Sequence, residues 1–148
     1  MRLTAAKASL SVAESSAGGL ISAALLAVPG ASAYFVGGAV VYTRAARVAL
    51  LGISDADMFD VPPSSQAYAL LMARAARTRF GTVWARAETG AAVPSGNRYG
   101  YSAGHACFAV SGPVERAITL ETAHGWREDN MRVFAARALD LLESALHG

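Results

Sequence analysis

Two strand-to-helix junctions follow one another early in the chain, and they restrict the fold more than any other feature. The first begins with a short predicted strand, 10–13, continues through a turn of small residues and hydroxyls, 14–19, and returns as an apolar helix, 20–27. Ser15 or Ser16 is predicted to cap this helix, because a side-chain oxygen there can accept a hydrogen bond from an amide of the first turn. The remaining free amides and the positive end of the helix dipole make the turn a candidate anion site.

The second junction adds a strand that contains two glycines. The predicted strand 34–42 is rich in aromatic and β-branched residues but includes Gly37 and Gly38. Glycine inside a strand marks a bulge or a close approach by another backbone or a ligand. Thr43 is predicted to cap a helix over 44–51. Two consecutive strand-helix units require a partly parallel sheet that helices cover on both faces.

The rest of the chain completes an α/β fold. Its predicted elements are a packing helix over 62–79, a strand over 82–88, a long loop over 91–101, two strands over 105–111 and 114–121, and a final helix over 127–146. Only Gly112 and Pro113 separate the last two strands, so these strands form an antiparallel hairpin. The prediction for residues 1–148 is therefore a single α/β domain with a mixed, mostly parallel sheet of about five strands.

Composition excludes several classes of function. No apolar run is long enough to cross a bilayer and no signal peptide is recognisable, so no membrane partner is expected. The single cysteine, Cys107, excludes an intrachain disulfide and fits a reducing cytoplasm, where we expect the protein to act. The formal net charge is +2 and the basic residues are scattered, which argues against nucleic-acid binding. Asp55 and Asp57 have no His or Cys neighbours, so no metal site is predicted.

Several spaced motifs resemble one known family. They are AESSAGG at 13–19, PGASAYF at 29–35, VYT at 41–43 with LLG at 50–52, and TGAA and GWRE at 89–92 and 125–128. In this order they are similar to the AESCTGG, PGSSAYF, TYSNEAK, TGIAG and GDR elements of the CinA C-terminal domain family. Its characterised members are nicotinamide mononucleotide deamidases, which form nicotinate mononucleotide and ammonia. The resemblance implies a three-layer α/β/α sandwich with one antiparallel strand, a homo-oligomer, a nucleotide substrate, and no metal or other cofactor.

In a fold of this kind the ligand is expected beyond the carboxyl ends of the parallel strands. Loops 14–19, 42–47 and 89–100 leave those ends. Deamidation of a carboxamide needs a nucleophile, a group that accepts its proton, and donors for the oxyanion. The three loops together could enclose a small phosphorylated molecule.

The resemblance also implies a role for individual residues. Ser32 falls on the second serine of PGSSAYF and is the predicted nucleophile. Tyr42 is predicted to donate or relay a proton at the amide, and Thr89 to contact the substrate or orient Ser32. Arg127 is predicted to bind phosphate, which a guanidinium can do bidentately. The predicted substrate-binding residues are Glu14, Ser15, Ser16, Gly18, Gly19, Gly37, Gly38, Gly90, Arg98 and Arg127.

Departures from the family pattern leave the chemistry open. Arg47 stands where the family has the lysine of NEAK, and arginine stays protonated in proteins, so it cannot take a proton from a serine. Arg47 is predicted to hold a phosphate or an oxyanion in the catalytic site instead. His124, beside the GWR turn, is an alternative base. Arg98 and Tyr99 occupy a loop that is mostly small residues in the family.

Two alternatives to an amidohydrolase follow from these departures. One is a protein that binds a nucleotide or related metabolite without hydrolysing it, which the replacement by Arg47 favours. The other is an interaction domain whose small-residue surfaces pack against copies of itself. Family members usually carry a full helix before the first strand, and residues 1–9 are too few to form it, so either the domain lacks this helix or the native start lies upstream of Met1.

Overall fold

The computed structural model describes residue 3 and residues 7–91 and 102–147. The described elements alternate between strand and helix before they end in a hairpin and a long helix. In chain order they are β1 (Leu10–Glu14), α1 (Leu20–Leu26), a 3₁₀ turn (Ala31–Ala33), β2 (Phe35–Val40), α2 (Arg44–Ala46), a π-helical turn (Arg47–Leu51), α3 (Gln66–Phe80), β3 (Trp84–Ala91), β4 (His105–Ser111), β5 (Arg116–Glu121) and α4 (Arg127–Leu146).

The five strands form one mixed sheet in the order β2-β1-β3-β4-β5. Strand β1 is parallel to both β2 and β3, whereas β4 is antiparallel to both β3 and β5. Strand β4 is therefore the one strand that runs against the other four. The predicted mixed, mostly parallel sheet is confirmed.

Helices cover both faces of this sheet. Consecutive strand residues point to opposite faces, so Val12 and Ala13 of β1 belong to two different cores. On one face Val12 shares a core with Phe134 of α4, whose ring meets Phe108 of β4 edge to face at 6.0 Å. On the other face Ala13 shares a core with Met72 of α3. The result is the three-layer α/β/α sandwich that the sequence predicted.

The predicted cap of α1 is wrong. The N-cap position is Gly19, with φ of 101°, and it makes no side-chain cap. The buried carboxylate of Glu14 accepts hydrogen bonds from the amides of Gly19, Ile21 and Ser22, at 2.8, 3.0 and 3.0 Å. These amides are satisfied from inside the protein, so the turn does not offer them to an external anion.

Most other local predictions agree with the structure. The Thr43 hydroxyl accepts a hydrogen bond from the Ala46 amide at 3.2 Å, as expected of a cap. Helix α3 begins at Gln66 and not at residue 62, because Ser65 caps it. Strand β3 extends to Ala91, since Ala91 still pairs with His105 of β4. Within the described part of the chain, no helix has the length and apolarity needed to cross a membrane.

Candidate functional site

A cavity of about 380 Å³ lies beyond the carboxyl ends of β1, β2 and β3. This volume falls in the range of pockets that bind small molecules. Its lining comes from the ends of these strands, the turn after β2 and the start of α3, and consists of Ser15, Val41, Tyr42, Thr43, Arg44, Arg47, Met58, Pro63, Ser64, Tyr68, Thr89 and Gly90. This cavity is called the strand-end pocket below.

Five residues predicted from the sequence meet in the strand-end pocket. They come from three separate segments of the chain and are Ser15, Tyr42, Arg47, Thr89 and Gly90. Arg127, at the start of α4, joins the rim of the pocket because its guanidinium donates to the Tyr42 hydroxyl at 3.0 Å. The order of the parallel strands brings these segments together, since their carboxyl ends lie at the same edge of the sheet.

The rim of the strand-end pocket carries more positive than negative charge. Arg47 is buried, and its guanidinium donates to the Ile53 carbonyl at 3.2 Å and to the Asp55 carboxylate at 2.5 Å. Arg44 also pairs with Asp55, from the exposed side. Hydrogen bonds from Arg44, with help from Arg47, lower the pKa of Asp55 to about 2. Two guanidinium groups thus surround one carboxylate, and Arg127 adds a third cation.

A second buried carboxylate, Glu88 of β3, holds the turn after β1. It accepts hydrogen bonds from the amides of Ser15 and Ala17, both at 2.9 Å, and from the Ser16 hydroxyl. Burial raises the pKa of Glu88 above its usual range, while these hydrogen bonds favour the carboxylate. The Ser16 hydroxyl is therefore used inside the protein, and Ser16 does not line the pocket as its predicted binding role requires. The sequence signal for Glu88 is a charged side chain in a predicted strand of mostly small residues, a feature that it shares with Arg86.

The predicted binding glycines other than Gly90 do not line the strand-end pocket. Gly37 and Gly38 lie within β2, where a Cβ on Gly38 would come within 2.5 Å of the Ser22 hydroxyl. A Cβ on Gly18 would come within 2.9 Å of the Met131 methyl. Gly19 occupies the turn that Glu14 caps. These glycines allow close packing, which explains their place in the sequence without a ligand contact.

Ser32 lies far from the strand-end pocket of its own chain. It is exposed in the 3₁₀ turn before β2, whereas the pocket follows the other end of β2. The six residues of β2 span about 20 Å. Within one chain, the structure therefore does not bring Ser32 together with Tyr42 or Thr89.

The remaining predicted residues are placed as follows. The ring of His124 accepts a hydrogen bond from the Trp126 amide at 3.3 Å and lies 5.1 Å from the Trp126 ring, and it does not line the pocket. Cys107 is buried, as predicted. Arg98 and Tyr99 lie outside the described residues. Among the residues that the structure describes, no group of three or more His, Cys, Asp or Glu is arranged to hold a metal ion.

Sequence reasoning missed the contribution of α3 to the pocket. Residues 62–79 were predicted to be only a packing helix, but Ser64 and Tyr68 at its start line the cavity. No local sequence pattern distinguishes these two side chains from other residues at the start of a helix. Their role depends on the position of α3 over the ends of β1 and β3.

The fold and the pocket define an α/β/α domain with a cavity of small-molecule size beyond the carboxyl ends of its parallel strands. The sequence matches the family model of the CinA C-terminal domain over residues 1–146. The chain therefore belongs to the CinA C-terminal domain family.

Relatives and solved structures agree with this assignment. A CinA-like protein of Gloeobacter violaceus is 38% identical over 135 residues, which cover 90% of this chain and 32% of the relative. One from Parasynechococcus marenigrum is 42% identical over 139 residues, which cover 93% of this chain and 33% of the relative. The chain thus spans about a third of the length of these relatives.

Two solved structures show the same fold. A competence-damaged protein (CinA) superfamily protein from Escherichia coli superposes with a TM-score of 0.89 at 27% identity, covering 96% of this chain and 83% of that chain. The competence/damage inducible protein CihA from Agrobacterium tumefaciens superposes with a TM-score of 0.85 at 30% identity, covering 99% of this chain and 90% of that chain.

Proposed function

We propose that this chain is an amidohydrolase that converts nicotinamide mononucleotide and water to nicotinate mononucleotide and ammonia. The observation that carries the proposal is the strand-end pocket itself. It gathers Tyr42 and Thr89, which the resemblance assigns to this reaction, with Arg47, which stands at the position of the family lysine, from separate parts of the chain. The reaction needs a nucleophile, a proton relay and donors for an oxyanion, and these side chains offer the last two.

The cationic rim supports an anionic ligand. Arg44, Arg47 and Arg127 approach the mouth of the pocket from α2, the π-helical turn and α4. Guanidinium groups bind phosphate with paired hydrogen bonds. A mononucleotide phosphate at this rim would leave the carboxamide end of the ligand toward Thr89 and Ser15.

A second copy of the chain is proposed to supply the nucleophile. Strand β2 is an edge of the sheet, and its backbone can pair with another strand. If two copies of β2 pair antiparallel, the amino end of one lies beside the carboxyl end of the other. This arrangement brings Ser32 of the partner subunit toward Tyr42 and Arg47. The exposed side chains of Val36 and Val40, 56% and 46% accessible, support an apolar contact along this edge.

The proposed chemistry follows from that arrangement. The Ser32 hydroxyl attacks the carboxamide carbon while its proton passes through the Tyr42 hydroxyl to the amide nitrogen, and the resulting oxyanion accepts hydrogen bonds from pocket donors such as Arg47 and Thr89. The C–N bond breaks after the amide nitrogen is protonated, and ammonia leaves an ester on Ser32. Water then hydrolyses the ester and restores the serine.

A second candidate function is nucleotide binding without hydrolysis. The specific observation that favours it is Arg47, which stands at the family lysine and is held by Asp55 and the Ile53 carbonyl. A guanidinium keeps its proton and cannot act as the base for Ser32. Binding at the cationic rim does not need such a base.

The deciding experiment measures ammonia and nicotinate mononucleotide formed from nicotinamide mononucleotide, with and without a chelator. We expect chelator-resistant turnover in the wild type, its loss in Ser32→Ala, and unchanged nucleotide affinity by calorimetry in both. Ser144→Ala, an exposed serine on α4, is the matched control and keeps full turnover. Turnover in Ser32→Ala would exclude Ser32 as the nucleophile. Binding without turnover in the wild type would favour the second candidate, and no binding would contradict both.

A further inference from the structure

Ser64 occupies a strained position in the wall of the strand-end pocket. It lies between Pro63 and the α3 cap Ser65, and its φ is 58°, in the left-handed region that non-glycine residues seldom adopt. The residue is only 6% exposed and lines the cavity. Strained backbone of this kind persists where the surrounding structure holds it, and it is common at ligand sites.

The surrounding structure holds Ser64 by its carbonyl group. The carbonyl oxygen lies 2.8 Å from Nε2 of His105 and accepts a weaker hydrogen bond from the Cys107 thiol at 3.4 Å. The other ring nitrogen, Nδ1, lies 3.0 Å from a carboxylate oxygen of Glu121. Both ring nitrogens of His105 thus face oxygens that only accept. These contacts connect Glu121, at the edge of the sheet, through the His105 ring to Ser64 in the pocket wall.

The hydroxyl of Ser64 is available to bind a ligand in the pocket. Among the described residues it has no hydrogen-bond partner, although its carbonyl has two. The hydroxyl is not among the fully buried unpaired atoms of the described residues, so it keeps access to the cavity, where a ligand group can bind it. Thr89, whose backbone pairs with Cys107, lines the same cavity and adds a second hydroxyl.

We propose that Ser64 is a ligand-contacting residue of the strand-end pocket and that His105 and Glu121 position it. The Ser64 hydroxyl binds a neutral polar group of the ligand, such as a sugar hydroxyl or an amide, while the arginines of the rim bind its anionic group. The choice of ligand rests on the proposed function. The placement of Ser64 rests on the contacts of this chain alone.

The test compares Ser64→Ala with Asp60→Ala. Asp60 also has a left-handed backbone, with φ of 57°, but it is exposed and does not line the pocket. Titration with nicotinamide mononucleotide is expected to show affinity about three- to tenfold lower in Ser64→Ala, the value of one hydrogen bond, and unchanged in Asp60→Ala. The unfolding midpoint of Ser64→Ala without ligand is expected to fall no further than that of Asp60→Ala. The proposal would be overturned by unchanged affinity in Ser64→Ala, or by an unfolding midpoint that falls further in Ser64→Ala than in Asp60→Ala.

A double-mutant cycle tests the role of His105. His105→Leu removes the donor to the Ser64 carbonyl, so affinity is expected to fall in the wild-type background but not further in Ser64→Ala. His105→Gln keeps an N–H donor and is expected to restore most of the affinity. If His105→Leu lowers the affinity equally in the wild type and in Ser64→Ala, His105 does not position Ser64. If the wild type does not bind the nucleotide, the proposed function is wrong, and the unfolding midpoints alone then decide whether Ser64 is structural.

Discussion

At the scale of single residues, Asp55 sets the charge of the pocket rim. It accepts hydrogen bonds from both Arg44 and Arg47, and it holds the buried guanidinium of Arg47 in place together with the Ile53 carbonyl. A lysine at position 47 would have one compact charge and no planar fork to satisfy both partners. Arg47, which stands at the position of the family lysine, therefore has two acceptors nearby for its guanidinium, the Ile53 carbonyl and the Asp55 carboxylate.

We predict that Asp55 makes the free energy of unfolding depend on pH in the acid range. Its pKa is about 2 in the folded protein against 3.8 for an unperturbed aspartate, so its stabilising effect is complete above pH 3.8 and is lost as the pH falls toward 2. Denaturant unfolding at several pH values between 5 and 2 is expected to show a shallower loss of stability in Asp55→Asn than in the wild type. Arg44→Gln removes the main cause of the lowered pKa, so the loss is expected to be smaller than in the wild type and to end at a higher pH. Identical pH profiles in all three proteins would contradict the assignment.

At the scale of elements, two buried carboxylates hold the junction between β1 and α1. Glu14 accepts hydrogen bonds from amides at the start of α1. Glu88 of the neighbouring strand β3 accepts hydrogen bonds from the amides and the hydroxyl of the turn itself. The turn is thus tied to two adjacent parallel strands. This places Ser15 at the edge of the strand-end pocket with little freedom to move.

The prediction at this scale is that Glu14→Gln destabilises the protein strongly. A glutamine has the same shape but only one accepting oxygen, so amides of α1 lose a buried partner and the free energy of unfolding is expected to fall by about 2–4 kcal/mol. Urea unfolding at neutral pH measures this difference. Glu128→Gln is the matched control, because Glu128 is an exposed acid in the first turn of α4 that pairs with Arg132 at 3.1 Å. A loss below about 0.5 kcal/mol is expected there, and an equal loss in both variants would contradict the role of Glu14.

At the scale of the whole molecule, the unpaired edge of β2 and the distance of Ser32 from the pocket have one common explanation. Two-fold pairing of β2 with β2 of a second copy would cover the exposed side chains of Val36 and Val40. It would also complete each pocket with Ser32 of the partner subunit. Each pocket would then be built from two chains.

Mixing two inactive variants tests this arrangement. Ser32→Ala lacks the nucleophile and Tyr42→Phe lacks the pocket hydroxyl, so each alone is expected to be inactive. A hybrid dimer has one pocket with both residues intact, and random exchange is expected to restore about a quarter of wild-type turnover. Val36→Lys is expected to shift the protein to monomers in sedimentation experiments, whereas Val114→Lys, at an exposed valine outside β2, is not. A mixture that stays inactive, or a monomeric wild type, would contradict the shared pocket.

The sequence by itself determined the elements whose causes are local. Apolar periodicity predicted α3 and α4, Thr43 was recognised as a cap because its hydroxyl reaches an amide three residues away, and Gly112 with Pro113 required a hairpin. The order of strands and helices then implied a mixed sheet with helices on both faces. The resemblance, carried by motifs in that order, selected Ser15, Tyr42, Thr89 and Gly90, which meet at the carboxyl ends of the strands.

Only the tertiary structure decided which side chains face the pocket and which are used inside the protein. Glu88 binds a turn 71 to 73 residues away in sequence, and His105 binds the carbonyl of Ser64 across 41 residues. No local pattern encodes such contacts, because they depend on strand order and on where α3 begins. The predicted strand 34–42 already separated Ser32 from Tyr42 along the sequence, and the tertiary structure showed that no fold of the described chain brings Ser32 back to the strand-end pocket.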